Sequence, residues 1–401
     1  MLNEAYTTFG GRHDETAAMH NILASQGVMA PHTGDPLSEA MLLGVGGGLG
    51  GGYHVFQYGA ESTFFVGLRG FWDKPNGELS RRILTRLGGR LEVRETTGKK
   101  SAATHLMEPL SAGKPVLVWV DPGGLPYLGH LGSLYVFHVV AACGYDADTD
   151  EVLIDDLAPA PWRVCAADLA TARTMVSSQK NRTAQVMPPT GAFDLKAAVR
   201  AGIEDCVAEL TSPRRTTMGL AAFSKWADLI AGSKAKKSWA RVFESGPNLF
   251  QALRGTHYWI ETAETGTGGG AFRGMYADFL TEAADLLDAP RLLEVAADYR
   301  RLAELWTALA ESALPESVKP LAEYRKLLLR KQQLIVSKGP AALDEVRRTQ
   351  TDLRKLGEQL RDDFPLTSAE AEAVREGMQG QITAIHATEQ EAVARLGSVL
   401  S

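Results

Sequence analysis

A chain of 401 residues, 45% hydrophobic and 22% charged, has the length and make-up of two or three ordinary globular domains. That composition argues against wholesale disorder or a collagen-like repeat, and a net charge of −6 argues against a generally basic nucleic-acid binder. Three cysteines, Cys143, Cys165 and Cys206, with no CxxC pair, supply neither a disulfide framework nor a zinc knuckle. No apolar run approaches the roughly 20 residues that cross a bilayer, and MLNEAYTTFGGRHDE lacks a charged-then-apolar leader pattern. The expectation is a cytoplasmic protein without a membrane partner.

Residues 1–188 mix helices with short strands. DETAAMHNILAS (14–25) sets Ala18, Ile22 and Ser25 on one face with Met19 and Leu23 beside them, which predicts a helix. MLLGVGGGLGGGY (41–53) is a glycine run with no Gly-Lys-Ser/Thr after it, so it fails the phosphate-loop pattern. Its expected role is backbone, with positive φ and close approach to a chain segment or a ligand. Strands are predicted at 63–70, 115–121, 133–146 and 151–156, and a helix at 76–87 with Leu79, Ile83 and Leu87 four apart. Helices followed by consecutive strands predict an α+β fold.

Residues 189–315 read as a helical domain. Helices are predicted over 194–210 and over 218–232, and 272–287 with 289–313 form an α-hairpin. Residues 316–401 read as a charged helical tail, in which ESVKPLAEYRKLLLRKQQLIVSKG and ALDEVRRTQTDLRKLGEQLRDDF pack antiparallel about Gly339–Pro340.

Two regions hold the polar groups suited to chemistry. Gly10-Gly11-Arg12-His13-Asp14-Glu15-Thr16 places two acids and a histidine where a helix begins. Asp14 is the expected N-cap, and a helix N-terminus also suits an anion or a nucleophile of lowered pKa. His138 stands in the apolar strand YVFHVVAACGYD, and Asp156 ends the following strand, VLIDD. A carboxylate there can fix the imidazole's tautomer and stabilise its protonated form. A second glycine loop, 266–270, enters a helix and carries Arg273, a site for a carboxylate or phosphate or else a tight turn with a surface arginine.

Taken together, RHDETAAMHNILASQGV…LSEAMLLGVGGGLGGGY, HVVAACGYDADTDEVLIDD and TGTGGGAFRGMYADFLTEAA resemble, over roughly residues 10–310, the BtrH-type family named for the butirosin-biosynthesis acyltransferase. The resemblance implies a papain-like cysteine-peptidase fold put to use as an acyltransferase, followed by the family's helical domain. It implies a thiol that attacks an acyl thioester on an acyl carrier protein, and a small-molecule amine that takes the acyl group. His138 would be the family's histidine and Asp156 its orienting acid, with Asp155 the lesser candidate. The family's opening motif reads His-Cys-Glu-Thr; here it reads His13-Asp14-Glu15-Thr16, so Asp14 stands in the place of the nucleophile.

An ionised carboxylate is a poor nucleophile and its acyl product would be a mixed anhydride, so covalent transfer through Asp14 is discounted. Three readings follow. In the first, Asp14, His138 and Asp156 perform general acid–base chemistry on a carrier-bound acyl thioester or acyl-derived amine, by direct transfer or by cyclisation or isomerisation of the bound chain. The expected substrate contacts are His13, Glu15, Tyr53, Gly268, Gly269, Arg273 and Tyr276, with the glycine loop and Arg273 binding an anionic part. In the second, Asp14, Glu15, His13 and His138 hold a divalent metal; no recognised ligand spacing supports it, and neither metal nor cofactor is expected. In the third, the site is dead and the protein is a scaffold for a carrier protein or partner enzyme. Basic clusters at Arg214-Arg215, at Lys234, Lys236, Lys237 and Arg241, and at Arg325, Lys326, Arg330 and Lys331 would steer an acidic carrier protein. The pattern is compatible with a homo-oligomer.

Overall fold

The computed structural model describes residues 6–58, 61–71, 78–129, 137–230, 232, 235–262 and 267–399. Residues 76–77 of the helix expected at 76–87, 133–136 of the histidine strand, Lys234 and Gly266 lie outside the described residues. Among the described residues no helix is long and apolar enough to cross a membrane.

The first helix, α1 (Asp14–Ser25), has the bounds its apolar spacing predicts. It ends in a Schellman turn: Gly27 takes φ +74°, its N–H donates to Ala24, and the Val28 N–H donates to Leu23 at 3.0 Å. Its beginning differs from expectation. His13, extended at φ −138°, is the N-cap, with Nδ1 3.4 Å from the Thr16 N–H. Asp14 is the first helical residue, and its carboxylate is drawn off to other donors.

The chain continues through α2 (Glu39–Val45) into a hairpin of β1 (Leu49–Tyr58) and β2 (Glu61–Arg69), then α3 (Glu78–Arg86), β3 (Arg90–Arg94), α4 (Lys99–Ser111) and β4 (Val116–Val120). It goes on to β5 (His138–Asp146), β6 (Glu151–Asp155), β7 (Trp162–Cys165), α5 (Ala166–Met175) and β8 (Thr183–Met187). Six of these strands form one antiparallel sheet in the order β3-β8-β4-β5-β6-β7. Period-2 alternation divides its faces. Leu117, Trp119, Val139, Ala141, Ala184 and Val186 join the cluster that holds α1, whereas Val116, Val118, Val140, Ala142, Val152 and Ile154 pack with Leu106 and Leu110 of α4 and Leu169 of α5. This is an α+β fold with a helix against each face of an antiparallel sheet.

The rest is helical: α6 (Leu195–Thr211), α7 (Leu220–Ile230), α8 (Trp239–Val242), α9 (Pro247–Glu261), α10 (Arg273–Leu287), α11 (Arg291–Ala313), α12 (Lys319–Lys338), α13 (Leu343–Asp362) and α14 (Ser368–Val399). α12 packs on α13 across the turn at Gly339, and α10 packs on α11. Sequence periodicity missed α9 because it is buried on nearly every side, from Leu249 to Ile260, and so carries no polar face to contrast with an apolar one. It left α14 without bounds inside the helical tail because that helix is rich in Ala, Glu and Gln, with a thin apolar stripe of Met378, Ile382, Ile385, Val393 and Leu396. The main apolar cluster runs from Ala18 to Leu396 and includes α6, α7, α11 and α14.

The glycine run after α2 lets chain segments approach one another. Gly48 has φ +63°, and a Cβ there would stand 2.5 Å from the Tyr276 ring; a Cβ on Gly51 would stand 2.2 Å from the Gly219 carbonyl oxygen. What it faces is protein, not an open pocket.

At the centre of this packing lies a charge pair. Arg273 and Glu389, both fully buried, meet at 2.6 Å between Nε and Oε1. The guanidinium also donates to the carbonyls of Leu68 (3.0 Å) and Ala271 (2.7 Å), and Trp306 Nε1 donates to Glu389 at 3.0 Å. Arg273 is thus bound to the hairpin and to α14 and is no surface arginine. Removing one partner strands the other charge in the interior. Glu389→Ala is expected to lower stability by about 3–5 kcal/mol, whereas Arg273→Met with Glu389→Leu should recover much of that loss. Chemical denaturation of the three proteins checks it; a single variant as stable as wild type would contradict it.

Candidate active site

α1 enters the sheet with its N-terminus against the start of β5. That junction gathers Asp14, His138, Asp156 and a second histidine, His13. His138 is completely buried, Asp14 is 8% exposed and His13 4%. Asp156 Oδ1 lies 2.8 Å from His138 Nε2, and its Oδ2 accepts from the Tyr127 hydroxyl at 2.8 Å. Tyr127 is itself clamped flat on Trp162, ring centroids 4.2 Å apart. On the other side of the imidazole, Asp14 Oδ2 lies 3.4 Å from His138 Nδ1. Asp14 Oδ1 lies 3.0 Å from His13 Nε2.

Asp14 therefore joins two imidazoles. It also accepts the backbone N–H of Val139 and that of Glu15, each at 2.8 Å. Burial works against its charge, but His13, His138 and the Val139 N–H outweigh that and hold the carboxyl well below the usual carboxylate range. The carboxylate is ionised across the physiological range and all its directions are used. Its contribution to stability is present above its unfolded pKa and is lost as acid protonates it.

His13 is fixed from three sides. Its backbone N–H donates to Glu39 at 2.8 Å, its Nδ1 lies 3.0 Å from the Thr16 hydroxyl, and its ring stands edge-on to Phe272 at 4.9 Å. Glu39, at the start of α2, also accepts from the Arg12 N–H (3.0 Å) and the Thr16 hydroxyl (2.9 Å), an anion at the N-terminus of α1. Neither Glu39 nor Tyr127 was identified from sequence. Glu39 carries a weak signal, an acid directly after the helix-capping Ser38; Tyr127, in a Pro- and Gly-rich turn, carries none.

The other expected contacts do not reach this group. Glu15 turns away from it, holding Arg69 of β2 at 2.9 Å and the Ser80 hydroxyl of α3 at 2.7 Å. Tyr53 is a core residue, stacked on Trp226 and accepting from Trp239 Nε1 at 2.7 Å. Tyr276 is fully buried against Phe279 and Tyr299, and Arg273 belongs to the interior pair. Each of these was expected from its neighbourhood in sequence, and each is engaged by interior partners away from the Asp14–His138 group. Gly269 lies beside Glu261, and Gly268 sits directly on the Arg12 backbone, where a Cβ would come within 2.4 Å of the Arg12 carbonyl oxygen. Gly268 also lines a cleft of about 270 Å³ with Gly11, Arg12 and one side of α12, Leu329 to Val336. Asp14, His138 and Asp156 are not among its walls. Among the described residues no cluster of His, Cys, Asp or Glu is arranged to hold a metal ion.

Asp155 belongs to the opposite face of β6, toward α1. Its Oδ2 accepts from the Tyr6 hydroxyl at 2.5 Å, and burial pushes its carboxyl up to about 7 against the hydrogen bond from Tyr6 and the nearby Asn21 amide, with Asp156 adding to the rise. The folded-state pKa lies above the unfolded value of about 3.9. The stability tied to Asp155 is therefore full below about pH 4 and is lost as pH rises toward 7. Asp155→Asn is expected to flatten the fall in Tm between pH 5 and 8 and to raise Tm at pH 8 by roughly 1–3 °C. Melting curves of the two proteins that stay parallel over that range would show that Asp155 is not the group responsible.

Residues 13–157 match the family model described as butirosin biosynthesis protein H, N-terminal, and residues 167–332 match the one described as a domain of unknown function, DUF4872. No curated protein matches the chain. The first match opens on His13 and closes just after Asp156, so it encloses the whole imidazole–carboxylate group. The family is related to biosynthetic acyl transfer, and its N-terminal domain accords with a papain-like fold followed by helices. With the two domains in this order, the chain belongs to the BtrH-type family.

Proposed function

We propose that the protein acts on an acyl thioester or an acyl-derived amine by proton transfer, without a covalent acyl-enzyme. One observation carries this reading. Tyr127, Asp156, His138, Asp14 and His13 form a continuous run of polar contacts, each between 2.8 and 3.4 Å, from the sheet's interior to a residue beside the Gly11–Arg12 cleft. In aminolysis the amine nitrogen attacks the thioester carbonyl, the C–N bond forms and the C–S bond breaks. An imidazole takes the proton from nitrogen, and the departing sulfur regains one. Asp14 orients both imidazoles and stabilises whichever is protonated. Cyclisation or isomerisation of a bound acyl chain would use the same proton transfer. A carrier protein as the source of the thioester, and a separate small amine as acceptor, are part of this proposal.

A second reading has its own support. His138 is wholly buried and every direction of the Asp14 carboxylate is occupied, as in a site kept for its architecture. The protein would then be a scaffold that binds a carrier protein or a partner enzyme.

The deciding experiment follows a panel of pantetheine and carrier-protein thioesters, with and without amines, by mass spectrometry. Catalysis predicts amide, or a rearranged acyl chain, with turnover reduced about 10²–10⁴-fold in His138→Ala and Asp14→Asn. Unchanged thioesters with intact carrier binding would replace that reading with the scaffold. A third variant, Asp14→Cys, places a thiol at the helix N-terminus beside His138. It is expected to gain the mass of one acyl group from a thioester, which wild type does not. Absence of that adduct in a folded variant would show that position 14 is not disposed for attack on an acyl carbonyl.

A further inference from the structure

A second polar group lies on the other side of the sheet, unrelated to Asp14 and His138. α4 and α5 pack side by side over β4–β7, and between them opens a cavity of about 370 Å³. Tyr145, on its wall, is seven residues from His138 along β5, roughly 23 Å at about 3.3 Å per residue.

Arg173 of α5 lines this cavity. It is 2% exposed, yet no carboxylate pairs with it among the described residues. Its Nη1 and Nη2 donate to the carbonyls of Ala102 (3.1 Å) and Asn181 (2.8 Å), and its Nε–H has no partner among the described residues. A buried cation held only by neutral carbonyls is costly, and burial pushes its pKa down to about 10. The contrast with Arg273 is direct, since that buried guanidinium has its carboxylate.

The surroundings continue the pattern. Lys99 lines the cavity from the first turn of α4, a thirteen-residue helix whose N-cap, Gly98, supplies no side-chain hydrogen bond and whose first turn holds no acid. Lysine there opposes the helix dipole unless an anion lies nearby. The wall holds one carboxylate, Asp150, which accepts from the Tyr145 hydroxyl at 2.8 Å. Two cations against one anion leave one positive charge for a ligand. The remainder of the wall is largely apolar, with Leu106, Met107 and Ala170. The volume is that of a small-molecule site.

We propose that the cavity between α4 and α5 binds a small organic acid, its single carboxylate on Arg173 and Lys99 and its apolar body along Leu106 and Met107. The site is independent of the chemistry at Asp14.

The test is calorimetric titration of the full chain with hexanoate, and with hexanamide as its uncharged counterpart. Hexanoate is expected to bind with one site per chain, at least tenfold more tightly than hexanamide. Arg173→Gln removes the cation, while Ala170→Trp fills the cavity from an exposed position and leaves Arg173 in place. Each should weaken hexanoate at least tenfold, with the Tm of Ala170→Trp unchanged. No saturable binding, equal binding of acid and amide, or wild-type affinity in Ala170→Trp would each overturn the proposal.

Discussion

The fold turns on one buried guanidinium. Arg273 heads α10 directly after five residues, Gly268 to Phe272, that all have positive φ. Two of them, Ala271 and Phe272, carry side chains that disfavour that conformation by about 1–3 kcal/mol each. The strain persists because Arg273 takes the Ala271 carbonyl, two hairpin carbonyls and Glu389 at once. The left-handed segment then delivers Phe272 to the edge of His13 and Gly268 to the Arg12 backbone. An ion pair in the helical half therefore sets one wall of a polar group that begins in the sheet half.

That polar group is ordered by alternation of sign. Glu39, His13, Asp14, His138 and Asp156 place acid and imidazole residues in turn, with Glu39 on the His13 backbone N–H and each of the other carboxylates beside an imidazole. Isolated burial of any one would be prohibitive. The same alternation holds the two imidazoles close to Asp14, His13 Nε2 at 3.0 Å and His138 Nδ1 at 3.4 Å. Asp14, with an imidazole on either side, is the centre of that arrangement.

Much of this was legible in the sequence where the information is local. The bounds of α1 follow from its apolar spacing, and His138 and Asp156 were singled out as a histidine within one strand and a carboxylate at the end of the next. The cap was misread because Asp is the commoner N-cap, while here the Asp14 carboxylate finds Val139, a partner 125 residues on. Arg273 was misread for the same reason at longer range. A glycine loop with an arginine looks like an anion cradle, but its anion is Glu389, 116 residues away in a helix whose Ala- and Glu-rich sequence announces little. Tyr53 and Tyr276 sit next to glycines that serve packing. Local pattern locates elements; what a polar side chain faces depends on tertiary partners that no spacing reveals.

The position of Glu389 has a consequence for how the chain is made. α14 packs on α6, α7 and α11, and it brings the counter-ion for a charge laid down more than a hundred residues earlier. During synthesis, α1, the sheet and α10 emerge before α14, so Arg273 lacks its counter-ion until α14 follows. Until then the strain at Ala271 and Phe272 lacks one of the contacts that offset it. The wall at Phe272 and Gly268 is therefore completed only once α14 is in place. A nascent chain paused before α14 would display the apolar grooves of α7 and α11 to chaperones rather than a finished site.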